Sequence, residues 1–236
     1  GRSRYDYQKG SVVCLAPGQV IGIEDTGEDF QPKGWALCFH PDLIRGTNLG
    51  RNIKEYTFFS YAVNEALHLS DRERATFIDC LMKIQQELEH SIDRLSKRLI
   101  ANNIELLLNY CLRFYERQFI TRQETNRDIL TRFEALLDTY FSGDNAETNG
   151  LPTVKYFAGE LCLSPNYFGD LIKRETGHTP MEYIQRKVVG MAKELLLIPS
   201  NSVSEVSYRL GFQYPQHFTR VFKKATGMTP NEYRRR

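Results

Sequence analysis

An internal repeat constrains the fold of this chain more than any other feature of its sequence. When the C-terminal part of the 236-residue chain is shifted by 50 residues, the segment 164–183 falls on the segment 214–233. Upstream the match continues with a one-residue slip, so that residues 154–161 fall on residues 203–210. Identical residues stand at Pro165/Pro215, Phe168/Phe218, Lys173/Lys223, Thr176/Thr226, Gly177/Gly227, Thr179/Thr229, Pro180/Pro230, Glu182/Glu232 and Tyr183/Tyr233. Self-similarity at a fixed offset indicates a supersecondary unit that occurs twice.

Each copy of the repeat predicts two short helices joined by a tight turn. In the second copy, Ser202 and Glu205 have the spacing of a capping box at the start of a helix. The next helix has a proline in its first turn, Pro165 or Pro215, where the missing N–H costs nothing. Two short helices with a polar outer face on the second are the helix-turn-helix pattern. A plain helical bundle would explain one copy, but two copies joined by a helix over 179–198 favour two helix-turn-helix units.

The second copy also contains a long motif, GFQYPQHFTRVFKKATGMTPNEYR, over residues 211–234. This motif resembles the signature of the AraC/XylS family of bacterial transcription regulators, and residues 151–236 resemble the family's DNA-binding domain. The resemblance implies seven helices, two helix-turn-helix units and a linking helix. It also implies binding to two successive major-groove segments on one face of double-stranded DNA, and RNA polymerase as a partner.

Charge is distributed unevenly between the two parts of the chain. Residues 151–236 contain 13 Lys and Arg against 7 Asp and Glu, whereas residues 1–150 contain 18 against 22. A basic C-terminal part attached to a mildly acidic body predicts a module that binds a polyanion.

The apolar residues of the second helix in each copy indicate which residues face outward. With Phe218, Val221 and Phe222 inward, Gln216 and Arg220 lie outward, one turn apart. Glutamine can bond the adenine edge at two atoms, and arginine can do the same to guanine. The predicted base-reading residues of both copies are Asn166, Asp170, Tyr214, Gln216, Thr219 and Arg220.

The first copy predicts weaker base reading than the second. Asp170 stands where the second copy has Arg220, and Gly169 offers no side chain. An aspartate can accept from cytosine, but DNA phosphates repel it. We therefore expect the first copy mainly to position the domain on the backbone. The predicted phosphate contacts are Ser164, Lys173, Arg174, Lys223 and Lys224, together with the terminal arginines 234–236.

The first 39 residues contain three short apolar runs, 12–15, 20–23 and 35–39, which predict strands. Residues 17–19 and 34–43 resemble the end of the cupin-like regulatory domain of many family members. This likeness implies a sensory barrel of which the chain holds only a part, and an unidentified small-molecule effector.

Residues 41–142 predict helices. Ser70 and Glu73 form a capping box before one helix, a longer helix is expected over about 93–119, and a third over about 126–141. The long helix has an apolar seam with steps of 4, 3, 4 and 3 residues, formed by Ile100, Ile104, Leu107, Cys111 and Phe114. The seam predicts a homodimer, or alternatively packing within one chain against Phe77, Cys80, Leu81 and Ile84.

The sequence thus predicts a mixed fold in three parts. A regulatory domain over 1–141 combines a partial cupin-like β region with a helical segment suited to dimerisation. The polar stretch 142–150 is expected to be a linker. An all-α DNA-binding domain with two helix-turn-helix units follows over 151–236.

The sequence favours a regulator over an enzyme. No phosphate-binding loop, nucleophile elbow or zinc-protease motif occurs, the histidines are scattered, and no cofactor or metal is expected. No run approaches about 18 apolar residues, so we expect a cytoplasmic protein without membrane contact. The function expected is sequence-specific, effector-responsive transcriptional activation. The alternative is a small-molecule-binding or thiol-reactive enzyme with a DNA-binding module, for which Cys38 beside His40 is the candidate pair.

Overall fold

The computed structural model describes residues 10–19 and 33–235. The chain divides into two compact units, Gly1–Thr121 and Arg122–Arg236, here called the N-terminal unit and the C-terminal unit. No helix among the described residues is long and apolar enough to span a membrane.

The N-terminal unit is built around a pair of long helices. Strand β1 (Ser11–Val12) pairs antiparallel with β2 (Leu67–His68), and short helices α1 (Pro41–Ile44) and α2 (Asn48–Asn52) precede three 3₁₀ turns. Those turns are Ile53–Glu55, Thr57–Ser60 and Val63–Glu65. Helix α3 (Asp71–Glu89) then packs along α4 (Ser96–Thr121). Ser70 caps α3 in the expected capping box, which confirms the predicted start of that helix.

The prediction of a cupin-like β region is wrong for the described residues. They contain one sheet of two strands, each two residues long. Of the run 12–15 only Val12 lies in a strand, the run 35–39 forms no strand, and the run 20–23 lies outside the described residues. Within the run 35–39, Leu37 packs against Cys80, Leu81 and Leu107 of the α3–α4 pair. The helix pair partly covers this apolar residue without a neighbouring strand, and the fold of the described residues is helical.

The apolar seam of α4 is closed within the chain. All five of its residues are buried, and Cys80, Leu81 and Ile84 of α3 are buried with them. Helix α3 supplies the apolar surface that the seam requires, since Cys80 and Leu81 share a core cluster with Leu107. This is the packing alternative that the sequence left open. A dimer would therefore have to use other residues of this unit.

The described part of the C-terminal unit, residues 122–235, contains eight helices. They are α5 (Gln123–Ser142), α6 (Asn145–Asn149), α7 (Val154–Glu160), α8 (Pro165–Thr176), α9 (Pro180–Leu196), α10 (Val203–Arg209), α11 (Pro215–Thr226) and α12 (Pro230–Arg234). The stretch 142–150, expected to be a linker, contains α6. From residue 151 to the last described residue there are six helices, α7–α12, and not the seven that the resemblance implied. Helix α5 precedes these helices in the chain and packs on α6 and α8, which cover its apolar face.

Phe133 of α5 lies at the centre of an aromatic core. Its side chain is fully buried, and its ring centroid is 5.1 Å from those of Phe157 and Phe168 and 5.5 Å from that of Tyr183. These rings belong to α7, α8 and α9, so a single residue joins α5 to both helices of the first helix-turn-helix unit and to the linking helix.

Candidate nucleic-acid interface

The two predicted helix-turn-helix units share the same turn. At the end of α7 the N–H of Leu163 donates to the carbonyl of Ala158 at 2.9 Å, and at the end of α10 the N–H of Phe212 donates to that of Ser207 at 3.0 Å. This bond and the left-handed residue before it are the Schellman ending of a helix. The left-handed residue is Gly211 in the second unit, with φ of 86°, but Cys162 in the first, with φ of 57°.

Both reading helices, α8 and α11, begin with a proline and end at a left-handed glycine. Ser164 caps α8, because its Oγ accepts from the N–H of Tyr167 at 3.3 Å. At the start of α11 the corresponding residue is Tyr214, whose side chain makes no capping hydrogen bond and is 61% exposed. The phenol of Tyr214 is thus directed to solvent, while the hydroxyl of Ser164 is engaged by its own helix.

The second unit presents polar side chains on the outer face of α11. Phe218 and Phe222 are buried as expected, although Val221 is only half-buried. Gln216 and Arg220 are exposed, one turn apart. The arrangement offers an amide and a guanidinium with the spacing needed to bond two base edges in a major groove.

Thr219 and His217 have local roles on the same helix. The hydroxyl of Thr219 donates to the carbonyl of Pro215 at 2.9 Å. The ring of His217 packs edge-on against Phe212, with centroids 5.5 Å apart. Because the hydroxyl of Thr219 is engaged by its own helix, the predicted contact of Thr219 with a base concerns its methyl group.

The first unit presents a different outer face on α8. Asn166 is exposed, while Gly169 and Asp170 are half-buried. Tyr167 is buried, which the sequence reasoning missed because a tyrosine beside a polar turn gives no clear inward signal. No arginine or glutamine projects from the middle of α8.

The predicted phosphate contacts divide into two groups. The first group is exposed in the last turns of the two reading helices and comprises Lys173, Arg174, Lys223 and Lys224. Cations at this end of a helix also interact favourably with the helix dipole. Arg234 instead donates to the carbonyls of Leu196 and Asn201, at 3.1 Å and 2.6 Å. Its guanidinium ties α12 to the end of α9, and its contact with a phosphate stays a prediction. Arg235 is exposed, and Arg236 lies outside the described residues.

Carboxylates close to the reading helices are engaged at helix starts. Backbone hydrogen bonds from Thr179, Ser202 and Thr229 lower the pKa of Glu182, Glu205 and Glu232 respectively. All three carboxylates are therefore ionised at neutral pH. Their oxygens are already accepting from the cap N–H groups, at distances from 2.6 to 2.8 Å.

The residues of the thiol-reactive alternative do not form a reactive site. Cys38 is exposed in a segment without strand structure, and Nδ1 of His40 accepts from the N–H of Asp42 as the cap of α1. The thiol of Cys111 is buried, and a hydrogen bond with Cys14 together with burial holds its pKa well above its ordinary value. Among the described residues no group of three metal-ligating side chains occurs.

Comparison with known proteins gives the same interpretation of the C-terminal unit. Residues 157–236 match the helix-turn-helix domain family. The uncharacterized transcriptional regulatory protein YesN of Bacillus subtilis is 40% identical over 78 residues, which are 32% of this chain and 21% of that protein. The HTH-type transcriptional activator RhaS of Citrobacter koseri is 25% identical over 242 residues, covering 94% of this chain and 84% of its own length.

Among solved structures, the C-terminal domain of AraT, a response regulator from Geobacillus stearothermophilus, is 31% identical with a TM-score of 0.41. That likeness covers 45% of this chain and 84% of that one. Because the TM-score is low, the assignment rests on the sequence matches. The chain spans only about a fifth of the length of YesN. Residues 157–236 of this chain are therefore an AraC-type helix-turn-helix domain.

Proposed function

We propose that this protein is a sequence-specific transcription regulator that binds double-stranded DNA with its C-terminal unit, the second helix-turn-helix unit dominating the reading of bases. One observation carries the ranking: Gln216 and Arg220 are exposed one turn apart on α11, whereas α8 offers Gly169 and a half-buried Asp170. Base edges in the major groove reward bidentate partners, and α11 supplies two of them, Gln216 and Arg220, whereas α8 supplies only Asn166 in the same turns.

The affinity of single variants tests this ranking. Arg220→Ala is expected to cost about 1–3 kcal/mol, or roughly 5- to 150-fold in affinity, and to relax the preference at one base pair. Asp170→Ala is expected to change affinity by less. Fluorescence anisotropy with a duplex selected by the wild type measures both, and Arg132→Ala, an exposed arginine on α5, is the matched control for loss of one positive charge. A larger loss with Asp170→Ala than with Arg220→Ala would reverse the ranking of the two units.

The regulatory role is proposed to be effector-responsive activation through RNA polymerase in the cytoplasm, without catalysis. Support comes from the relative RhaS, named as a transcriptional activator, whose match extends through the N-terminal unit. A reporter gene placed downstream of the selected sequence tests activation, since a rise in transcription that requires Arg220 supports it. A fall would make the protein a repressor.

We further propose that the protein is a homodimer through the outer face of α4. Leu99 and Leu106 are 44% and 41% exposed, and their spacing of 7 residues places them on one side of the helix, while Leu95, directly before the helix, is 48% exposed. A dimer would bring two DNA-binding units together and raise the effective concentration for the second contact.

Two glutamate substitutions on α4 separate the dimer face from the interior. Leu99→Glu is expected to give a folded monomer, whereas Ile104→Glu places a charge at a fully buried position and is expected to unfold the N-terminal unit. Sedimentation equilibrium with circular dichroism distinguishes these outcomes. A wild type that stays monomeric at high micromolar concentration would end the dimer proposal.

A further inference from the structure

The stretch 142–150 packs tightly on the second helix-turn-helix unit. Gly150, which ends α6, faces Gly211 in the turn between α10 and α11. A Cβ atom on Gly211 would lie 2.7 Å from the carbonyl carbon of Gly150, 2.9 Å from its oxygen and 3.0 Å from the oxygen of Ala146. Contacts this short leave no room for any side chain, so the two backbones meet directly. The Ala146 side chain is itself fully buried.

The stretch 142–150 is also hydrogen-bonded to α5, the helix that packs on the first helix-turn-helix unit. The hydroxyl of Tyr140 donates to the carbonyl of Gly150 at 3.0 Å. Seven residues earlier on α5, the ring of Phe133 lies against Phe157 and Phe168 of the first helix-turn-helix unit. Helices α5 and α6 thus reach from the core of the first unit to the turn of the second.

Polar contacts also tie α5 to the linking helix. Lys187 of α9 forms an ion pair with Asp138 at 2.5 Å, and the hydroxyl of Tyr183 donates to Glu134. Burial, together with that hydrogen bond, raises the pKa of Tyr183 to about 12, so the phenol remains a donor throughout the neutral range.

The two reading helices are therefore connected by two separate routes. One route is covalent, through α9, which packs on α8, α10 and α11. The other is the packed route through α5 and α6. A single helix between two small units can bend or rotate at its ends, whereas two routes between the same units form a closed frame that resists both motions.

We propose that α5 and α6 act as a brace that fixes the separation and phase of the two reading helices, with the Gly150–Gly211 contact as its joint. The proposal rests on the proposed DNA-binding function and adds a specificity determinant to it. Gly150 and Gly211 are positioning residues, because they act on DNA only through the placement of α8 relative to α11. The spacing between the two DNA half-motifs is then set by residues that touch no base.

Gly211→Ala tests the joint, and Gly227→Ala is its matched control. Both glycines end a helix with positive φ, 86° and 78°, so both variants bear the same kind of backbone strain. At Gly227 an added Cβ meets nothing within 4 Å, whereas at Gly211 it meets Gly150. The difference between the two variants isolates the contact.

Each variant, as the full chain, is titrated against two duplexes: a full site selected by the wild type, and a half site that keeps only the motif read by α11. Gly211→Ala is expected to weaken binding to the full site by about tenfold or more while half-site affinity stays within about twofold, because avidity depends on the span between linked sites. A selection from random DNA should also return a broader range of half-motif spacings. Gly227→Ala is expected to leave the ratio of the two affinities unchanged.

Tyr140→Phe provides a second variant that adds no atom, should Gly211→Ala fail to fold by circular dichroism. It removes the hydrogen bond to Gly150 and is expected to shift the ratio in the same direction, by about fivefold, because a net hydrogen bond contributes about 1 kcal/mol. Loss of affinity for both duplexes in equal proportion, or an unchanged spacing preference, would overturn the brace. A wild type that selects no duplex from the random pool would overturn the DNA-binding function itself, so the two failures are distinguishable.

Discussion

Replacing Phe133 by alanine is expected to destabilise the C-terminal unit by about 3–5 kcal/mol. The side chain is fully buried, and three aromatic rings from three different helices surround it at 5.1 to 5.5 Å. The cost combines the lost transfer of a phenyl group from water with the cavity that rigid neighbouring rings cannot close. Because a domain's net stability is about 5–15 kcal/mol, the change would remove a large part of it.

Urea unfolding of the full chain measures this cost with two probes. Circular dichroism at the helix bands follows both units, whereas the fluorescence of Trp35, the single tryptophan, belongs to the N-terminal unit. Phe133→Ala should lower the midpoint of one dichroism transition and leave the Trp35 transition in place. The control Phe58→Ala, 1% exposed and stacked at 5.5 Å on Tyr115, should do the reverse. A cost below about 1 kcal/mol for Phe133→Ala, or a parallel shift of the Trp35 transition, would refute the placement of α5 in the C-terminal core.

Three further predictions concern charge and backbone strain. Burial tends to raise the pKa of Glu73, but hydrogen bonds from Arg117 and from Ser70 outweigh burial and lower the pKa. The contribution of the Glu73 carboxylate to stability is therefore lost as the pH falls through its folded-state pKa. Glu73→Gln should make the free energy of unfolding less dependent on pH in the acid range, and an unchanged acid profile would contradict this. Lys223→Ala should weaken binding to all DNA sequences similarly and reduce the slope of log affinity against log salt by about 1, whereas an unaltered slope would remove it from the phosphate contacts. Cys162→Gly should raise the midpoint of thermal unfolding by relieving about 1 kcal/mol of left-handed strain, and a lower midpoint would show that the residue is not strained.

The helix-turn-helix units could be predicted from sequence because their signals are local. A proline in the first turn, a serine or threonine cap with a glutamate three residues on, and a glycine at the end each act within one helix, and the repeat provided them twice. For the same reason the outward direction of Gln216 and Arg220 followed from the buried Phe218 and Phe222.

The extent of the C-terminal unit could not be predicted, because it depends on tertiary packing. The polar composition of 142–150 suggested a linker, yet its small residues allow the close backbone contact at Gly211 that holds it to the second unit. Likewise nothing in the sequence near Arg234 shows that its guanidinium donates to two carbonyls 33 and 38 residues away.

Apolar patterns identify a buried face but not what covers it. The stepping of Ile104 and its neighbours predicted a seam correctly, but the choice between α3 and a second chain required the structure. The run 35–39 gave a strand signal, and its Leu37 packs instead on a helix pair. Short apolar runs are ambiguous in this way, since strand propensity mostly reflects a half-buried environment.

A selection of bound duplexes from a random pool, carried out with the full chain at one stated salt concentration, tests whether the two reading helices recognise a defined DNA sequence. We expect enrichment of a bipartite site whose two motifs lie about one helical turn, or about 10–10.5 base pairs, apart on one face of the DNA. The stronger motif should be the one that loses its preference in a parallel selection with Arg220→Ala. Enrichment of no sequence over the starting pool, or of a single motif unaffected by Arg220→Ala, would show that α11 does not read bases in this way.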